Sequence, residues 1–222
     1  MNILAFETGN FSFSAALLCE EKVLVDECLG VERGQDRILI SLLSKMLEKA
    51  GLTFKDINLI VTTTGPGSFT GLRVGLAAAK GFHLALKVPI MGISSFKWYC
   101  QSLLQKNKDS KNILIALESK REEVFCQLFD SKGEPLKPPV CLLPSEVSVY
   151  CPEGPLILAG NGACRLMPSI AQEKVELIEK SPSASELGVF AWHTYKNGQH
   201  QNYPCLPFYL READVTLKKV HA

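Results

Sequence analysis

Apolar and polar positions alternate in short blocks from the first residue. Residues 3–6 are apolar and stop at Glu7-Thr8-Gly9-Asn10, a turn composition. Phe11, Phe13, Ala15 and Leu17 then alternate with Ser12, Ser14, Ala16 and Leu18, the period of a strand. Residues 22–29 offer a third short strand, and three early strands joined by tight turns predict an antiparallel meander. A helix follows over 36–50, closed by Gly51. Its apolar residues are Ile38, Leu39, Ile40, Leu42, Leu43, Met46, Leu47 and Ala50. At about 100° per residue they sweep roughly 200°, wider than the stripe of an ordinary surface helix. Residues 57–64 are apolar and β-branched and read as a buried strand. Next come Gly65-Pro66-Gly67-Ser68-Phe69-Thr70-Gly71-Leu72-Arg73, a helix to about residue 86, a strand over 88–93, and a third helix capped by Ser94 or Ser95.

Polar residues 107–111 mark a boundary, giving two halves, 1–106 and 107–222. The second half opens with a strand over 113–117, a turn over 118–122 and a strand over 124–129. A proline-rich loop covers 132–139, and a short strand over 156–158 leads to Gly160-Asn161-Gly162. Ser183 with Glu186 three residues on is a capping box for a helix over 183–195, stopped at Asn197-Gly198. The order of elements repeats weakly, so the halves read as degenerate copies of one unit.

Composition adds exclusions. Apolar residues are 46% and charged residues 21%, with a formal net charge of +1, the balance of an ordinary globular protein. No basic stripe is present for gripping RNA alone, so a tRNA-related role would act through a partner. No apolar run approaches the length that spans a bilayer. The eight cysteines contain no C-x-x-C pair, and without an export signal they read as small buried hydrophobes in a reducing cytoplasm.

The sharpest chemical feature is the segment 65–73, which follows a buried strand and opens a helix. Gly65, Gly67, Ser68 and Thr70 make it a candidate phosphate-binding loop, since helix starts of this kind bind anions. Ordinary capping of a strand-to-helix turn explains the same residues. It is neither a P-loop nor a dinucleotide fingerprint. The helix after it carries Arg73, Lys80 and His83 as its long polar side chains. Gly71, Gly75, Ala78 and Phe82 form a largely small-residue face where another backbone could approach. A central helix and a subunit interface both fit; two wide-arc helices in one small domain favour the interface. Glu7 is a candidate metal ligand or base, or a solvated turn residue. The histidines at 83, 193, 200 and 221 have no metal-binding spacing, so the expectation is no catalytic residue, no metal and no cofactor.

These residues also carry a resemblance. The run ending in Gly-Pro-Gly-Ser-Phe-Thr-Gly-Leu-Arg at 65–73 resembles the hallmark of the TsaB (YeaZ) family. Val88-Pro89-Ile90-Met91-Gly92-Ile93-Ser94-Ser95, the glycine turn at 158–163 and the closing Pro207-Phe208-Tyr209-Leu210-Arg211 are similar to later family segments. The resemblance implies an actin-like, Hsp70-like ATPase-superfamily fold of two ribonuclease-H-like halves, each a mixed sheet flanked by helices. It implies a non-catalytic subunit of the complex that transfers threonylcarbamoyl from its adenylate to adenosine 37 of tRNA, with catalysis in a TsaD-like partner. A TsaE-like ATPase joins the larger complex, tRNA is met only through it, and without the partner both a homodimer and a monomer are open to the chain. The family pairs through its first two helices, which assigns the interface here to Leu39, Leu42, Leu43, Met46, Leu72, Arg73, Leu76, Ala77 and Lys80. Three departures weaken a nucleotide site: Glu7 where most relatives have Asp, Gly34-Gln35 in place of a His and a small residue, and Glu118-Ser119-Lys120-Arg121 in place of an Asp-Ala-Arg turn. The competing readings are a nucleotide-dependent small-molecule kinase of the same superfold and, less supported, a metallopeptidase.

Overall fold

The computed structural model describes residues 1–10, 13–30, 35–105, 111–170 and 175–211, with side chains from residue 39 in the first helix. Phe11, Ser12, Gly34, the side chains of Gln35 and Ile38, the boundary at 106–107 and His221 lie outside the described residues.

The chain forms two five-stranded sheets. The first holds β1 (Asn2–Glu7), β2 (Phe13–Cys19), β3 (Lys22–Leu29), β4 (Leu59–Gly65) and β5 (Ile90–Ser94) in the order β3-β2-β1-β4-β5. The second holds β6 (Asn112–Glu118), β7 (Val124–Phe129), β8 (Val140–Leu142), β9 (Leu156–Ala159) and β10 (Val175–Ile178) in the order β10-β9-β6-β7-β8. Each sheet is an antiparallel meander extended by two parallel strands. In the first, Ala5 pairs with Ala16 across the meander and Ile3 with Leu59 in the parallel step. In the second, Ile115 pairs with Gln127 and Ile113 with Ile157. The duplication expected from the sequence is therefore one ribonuclease-H-like topology used twice.

Helices α1 (Gln35–Lys49) and α2 (Phe69–Leu86) cover one face of the first sheet. Leu39, Leu43, Met46 and Leu47 of α1 and Leu76 and Ala79 of α2 pack there on Leu4, Phe6, Leu17 and Ile60. The opposite face shares a central core with the second sheet. Ile3, Ala5 and Val61 meet Ile113, Ile115 and Phe129 around Phe96, Trp98 and Tyr99 of α3 (Ser95–Leu104) and Leu187 and Ala191 of α6 (Ala184–Lys196). Hence β1 and β2 are buried on both faces, and their near-continuous apolar runs follow from that. Short helices α4 (Val147–Tyr150) and α5 (Ala163–Leu166) close the far face of the second sheet over Leu114, Ala116 and Cys126.

Local signals act as the sequence predicts. Ser94 caps α3, its hydroxyl accepting from the Lys97 amide at 3.1 Å. Ser183 and Glu186 form the capping box of α6. Long-range placement is new: α6 belongs to the second half by chain order, yet its Ala184 amide donates to Ser14 Oγ on β2 at 2.8 Å. All eight thiols are free. The reading of them as buried holds for Cys100, Cys126 and Cys205 and fails for Cys28 and Cys164, which are exposed.

Candidate functional site

Glu7 ends β1 and is 1% exposed. This corrects its reading as a solvated turn residue. Its Oε1 accepts from the Gly9 amide and from the Asn10 amide, the latter at 3.0 Å, and its Oε2 accepts from the Thr63 hydroxyl on β4. The carboxylate thus folds the 8–10 turn back on itself and ties it to the neighbouring strand. Burial pushes its pKa above the usual carboxylate range, opposed by the Thr63 hydroxyl and then by the backbone amides of Gly9, Asn10 and Thr8. A raised folded-state value means that Glu7 favours folding below the ordinary glutamate pKa and that this contribution is lost as pH rises through the folded value. Glu7→Gln keeps an acceptor for the turn and removes the titration. Urea unfolding across pH 4 to 8 should lose part of its downward slope in this variant; an unchanged slope would show that Glu7 is not the group responsible.

The turn is built against the start of α2. Thr8 Oγ1 donates to the Gly71 carbonyl at 2.7 Å. A Cβ on Gly71 would overlap the Thr8 carbonyl, and one on Gly75 would overlap the Thr8 hydroxyl. The small-residue face expected from the sequence therefore meets backbone, but the chain's own. The candidate phosphate loop is drawn into the same contact. The Ser68 amide donates to the Gly9 carbonyl at 2.7 Å, and Ser68 Oγ caps the helix by accepting from the Gly71 amide at 3.4 Å. Gly65 is buried, Gly67 lies against Gly9, and Thr70 is exposed on the first turn of α2.

The second half repeats the arrangement with different chemistry. Glu118 ends β6 as Glu7 ends β1, and its amide donates to Asn161 Oδ1 at 2.9 Å. The Glu118 carboxylate is ion-paired with Arg165 of α5. That guanidinium also donates to the Glu122 carbonyl at 2.5 Å and to the Glu123 carbonyl at 3.3 Å. Sequence reasoning missed Arg165, because a contact across 47 residues leaves no local pattern. Between the halves lies a cleft of about 320 Å³, walled by Gly67, Ser68 and Thr70 on one side, Glu118 and Lys120 on the other, and closed by Tyr209 and its neighbours. Among the described residues, no three His, Cys, Asp or Glu side chains gather in a way that could hold a metal ion.

The interface residues expected on α1 and α2 separate into two sets. Leu39, Leu43, Met46, Leu72 and Leu76 are at most 4% exposed. They belong to the chain's own core, so the expectation that they present a partner surface is corrected. Arg73, Ala77 and Lys80 are exposed and Leu42 is half-buried. Turning about 100° per residue, buried Gly71, Leu72, Gly75, Leu76 and Ala79 span about 140° of α2. Arg73, Ala77, Lys80 and Leu84 cluster within about 60° on the other side. Leu84 is 76% exposed and Ile40 of α1 is 49% exposed. Neither was singled out from the sequence for the interface, although Leu84 falls on the Arg73–Lys80 stripe.

Two mixed sheets of identical order, helices on their faces and a cleft between them define an actin-like, Hsp70-like fold. The comparisons agree. An activator of 2-hydroxyisocaproyl-CoA dehydratase from Clostridium difficile, solved with bound ADPNP, shares the fold at a TM-score of 0.55 and 11% identity, over 90% of this chain and 98% of that one. YeaZ from Pseudomonas aeruginosa matches at a TM-score of 0.79 and 23% identity, over 94% of this chain and 99% of that one. Residues 31–159 match the family model described as TsaD: tRNA N6-adenosine threonylcarbamoyltransferase. The tRNA threonylcarbamoyladenosine biosynthesis protein TsaB of Buchnera aphidicola is 32% identical over 123 residues, 55% of this chain and 58% of that protein. The chain belongs to the family that this model describes and, within it, to the TsaB/YeaZ group. Its alignments span about half the length of the TsaB relatives that it matches.

Proposed function

We propose that this chain is a non-catalytic subunit of the complex that transfers threonylcarbamoyl from threonylcarbamoyl-adenylate to adenosine 37 of tRNA. It acts there as dimerisation partner and scaffold of a TsaD-like catalytic subunit, in the cytoplasm, with a TsaE-like ATPase in the larger assembly and tRNA met through the complex. The names of its relatives supply the pathway. The observation that carries the non-catalytic role is the engagement of both strand-end carboxylates. Glu7 is buried under its own turn, and Glu118 is held by Arg165. A metal–nucleotide site of this fold needs free acidic oxygens; Glu118 lines the cleft but its carboxylate is paired with Arg165, and the Glu7 oxygens are taken by its own turn and Thr63, so these two do not fit that group. The same observation weighs against the kinase reading. The halves 1–106 and 107–222 then serve different ends, the first presenting the partner surface and the second completing the core.

The partner surface in this reading is the outer stripe of α2 with α1: Arg73, Ala77, Lys80, Leu84, Ile40 and Leu42. Leu39, Leu43, Met46, Leu72 and Leu76 support it from beneath. Depletion of the protein should abolish threonylcarbamoyladenosine in tRNAs that read codons beginning with A, as measured by mass spectrometry of tRNA nucleosides. An unchanged modification level would refute the assignment. Magnesium-dependent ATP turnover by the purified chain alone would instead favour the kinase.

A further inference from the structure

Arg165 and Arg211 face carboxylates of their own chain: Arg165 pairs with Glu118, and Arg211 lies 3.7 Å from Glu123. Arg73 is held differently. It is exposed on α2, and among the described residues no carboxylate lies within 4.0 Å of its guanidinium. Aromatic groups fix it instead. Its Cζ lies 3.7 Å over the ring of Phe69, one turn earlier on the helix. The Phe69 ring stacks in turn on Tyr209, centroids 5.0 Å apart, and the Tyr209 hydroxyl accepts from Arg73 Nε at 3.4 Å. Tyr209 comes from outside the helix, and backbone sets its place: the neighbouring Phe208 amide donates to the Thr64 carbonyl of β4 at 2.8 Å.

This clamp fixes the plane of the guanidinium. One face of the plane rests on Phe69 and Nε donates to Tyr209, while the terminal nitrogens keep in-plane N–H groups for an acceptor. A side chain already held in one geometry loses less freedom on binding than a loose one. Arg73 shares its exposed stripe with Lys80, and α2 carries no Asp or Glu between residues 69 and 86, so nothing on the helix offsets its positive charge. We infer that Arg73 is a pre-set anchor for one carboxylate of the catalytic partner, an Asp or Glu side chain taken bidentately, and that Tyr209 is a positioning residue acting through it. The inference rests on the proposed function, which puts the outer stripe of α2 against a TsaD-like subunit, and adds the chemistry that the subunit must present. A protein carboxylate fits this stripe better than an RNA phosphate, because two cations on one helix do not make the basic track that RNA backbone requires.

Titration calorimetry of the full chain against the TsaD-like subunit, without tRNA, tests the anchor. Arg73→Ala should bind roughly 30-fold more weakly. Arg73→Lys keeps the charge but not the planar fork and should lose about tenfold; it also serves if Arg73→Ala does not fold. Parent-like affinity in Arg73→Lys would make Arg73 a mere point charge and overturn the anchor. Tyr209→Leu should weaken binding about fivefold in the parent and not at all in the Arg73→Ala background, because its effect runs through Arg73. An equal loss in both backgrounds would overturn its positioning role. Asp→Asn and Glu→Gln substitutions across the partner's contact surface then find the carboxylate. One of them must weaken the parent about 30-fold and add nothing to Arg73→Ala; if none does, the anchor takes no carboxylate and the inference falls. It falls too if every Arg73 variant forms the heterodimer normally and the complex loses tRNA instead, which would give Arg73 to a phosphate. The proposed function is scored separately. A parent chain that does not bind the TsaD-like subunit overturns that reading and the inference with it. A parent that binds, and loses binding in Leu84→Glu but not in Arg73→Ala, overturns the inference alone.

Discussion

Leu76→Glu unfolds this chain at temperatures where the parent is stable. Leu76 is 4% exposed and packs in the cluster formed by β1, β2, β4, α1 and α2. The substitution removes a buried leucine and leaves a carboxylate among Leu4, Phe6, Leu43 and Ile60. Each change alone costs about 2 kcal/mol or more, so the pair should cost at least roughly 4 kcal/mol. For a chain of this size that lowers the midpoint by roughly 8–16 °C. Thermal unfolding followed by circular dichroism measures it. A midpoint within a few degrees of the parent would mean that α2 is rolled about its axis and that Leu76 faces outward.

Leu76 also shows where the sequence stops being legible. Helix α2 is apolar or glycine nearly all the way round, so its periodicity cannot say which arc meets the sheet. The glycines give the direction of closest backbone approach, and Gly71 and Gly75 do lie on the 8–9 turn. They do not give the width of the buried arc, which reaches on through Leu72 and Leu76. The limit at Glu7 is similar. Glu-Thr-Gly-Asn is a turn by composition, and turns are normally solvated. This one is buried because α2 packs on it from 63 residues away. Elements with strong period and clear caps were readable: the meander, α1, β4, α2, β5, α3 and α6. Strands β8 and β10 have three and four residues, all partly exposed or exposed, and carry too little pattern to be read. The partner of Glu118 and the stacking of Tyr209 on Phe69 depend on contacts across 47 and 140 residues, and no local pattern encodes them.

Leu84→Glu separates the proposed partner surface from the core. At 76% exposure the side chain has little packing to lose, so the isolated variant should unfold within about 2 °C of the parent. In the proposed assembly the same position lies on the stripe shared with Arg73, Ala77 and Lys80. A glutamate there would be desolvated without a partner, at a cost of about 2–4 kcal/mol. That weakens the heterodimer with a TsaD-like subunit by roughly 30-fold to 1,000-fold, enough to abolish co-elution in size-exclusion chromatography at micromolar concentration. Ile40→Glu on α1 should act in the same direction, because Ile40 is the exposed large hydrophobic of that helix among the described residues. Val149→Glu is the control: Val149 is 87% exposed, sits on α4 in the second half, and should leave binding unchanged. If Leu84→Glu folds and still co-elutes, the outer stripe of α2 is not the contact. If Val149→Glu abolishes binding while Leu84→Glu does not, the partner surface lies on the second half, and the pairing of the first two helices is the wrong guide to this chain.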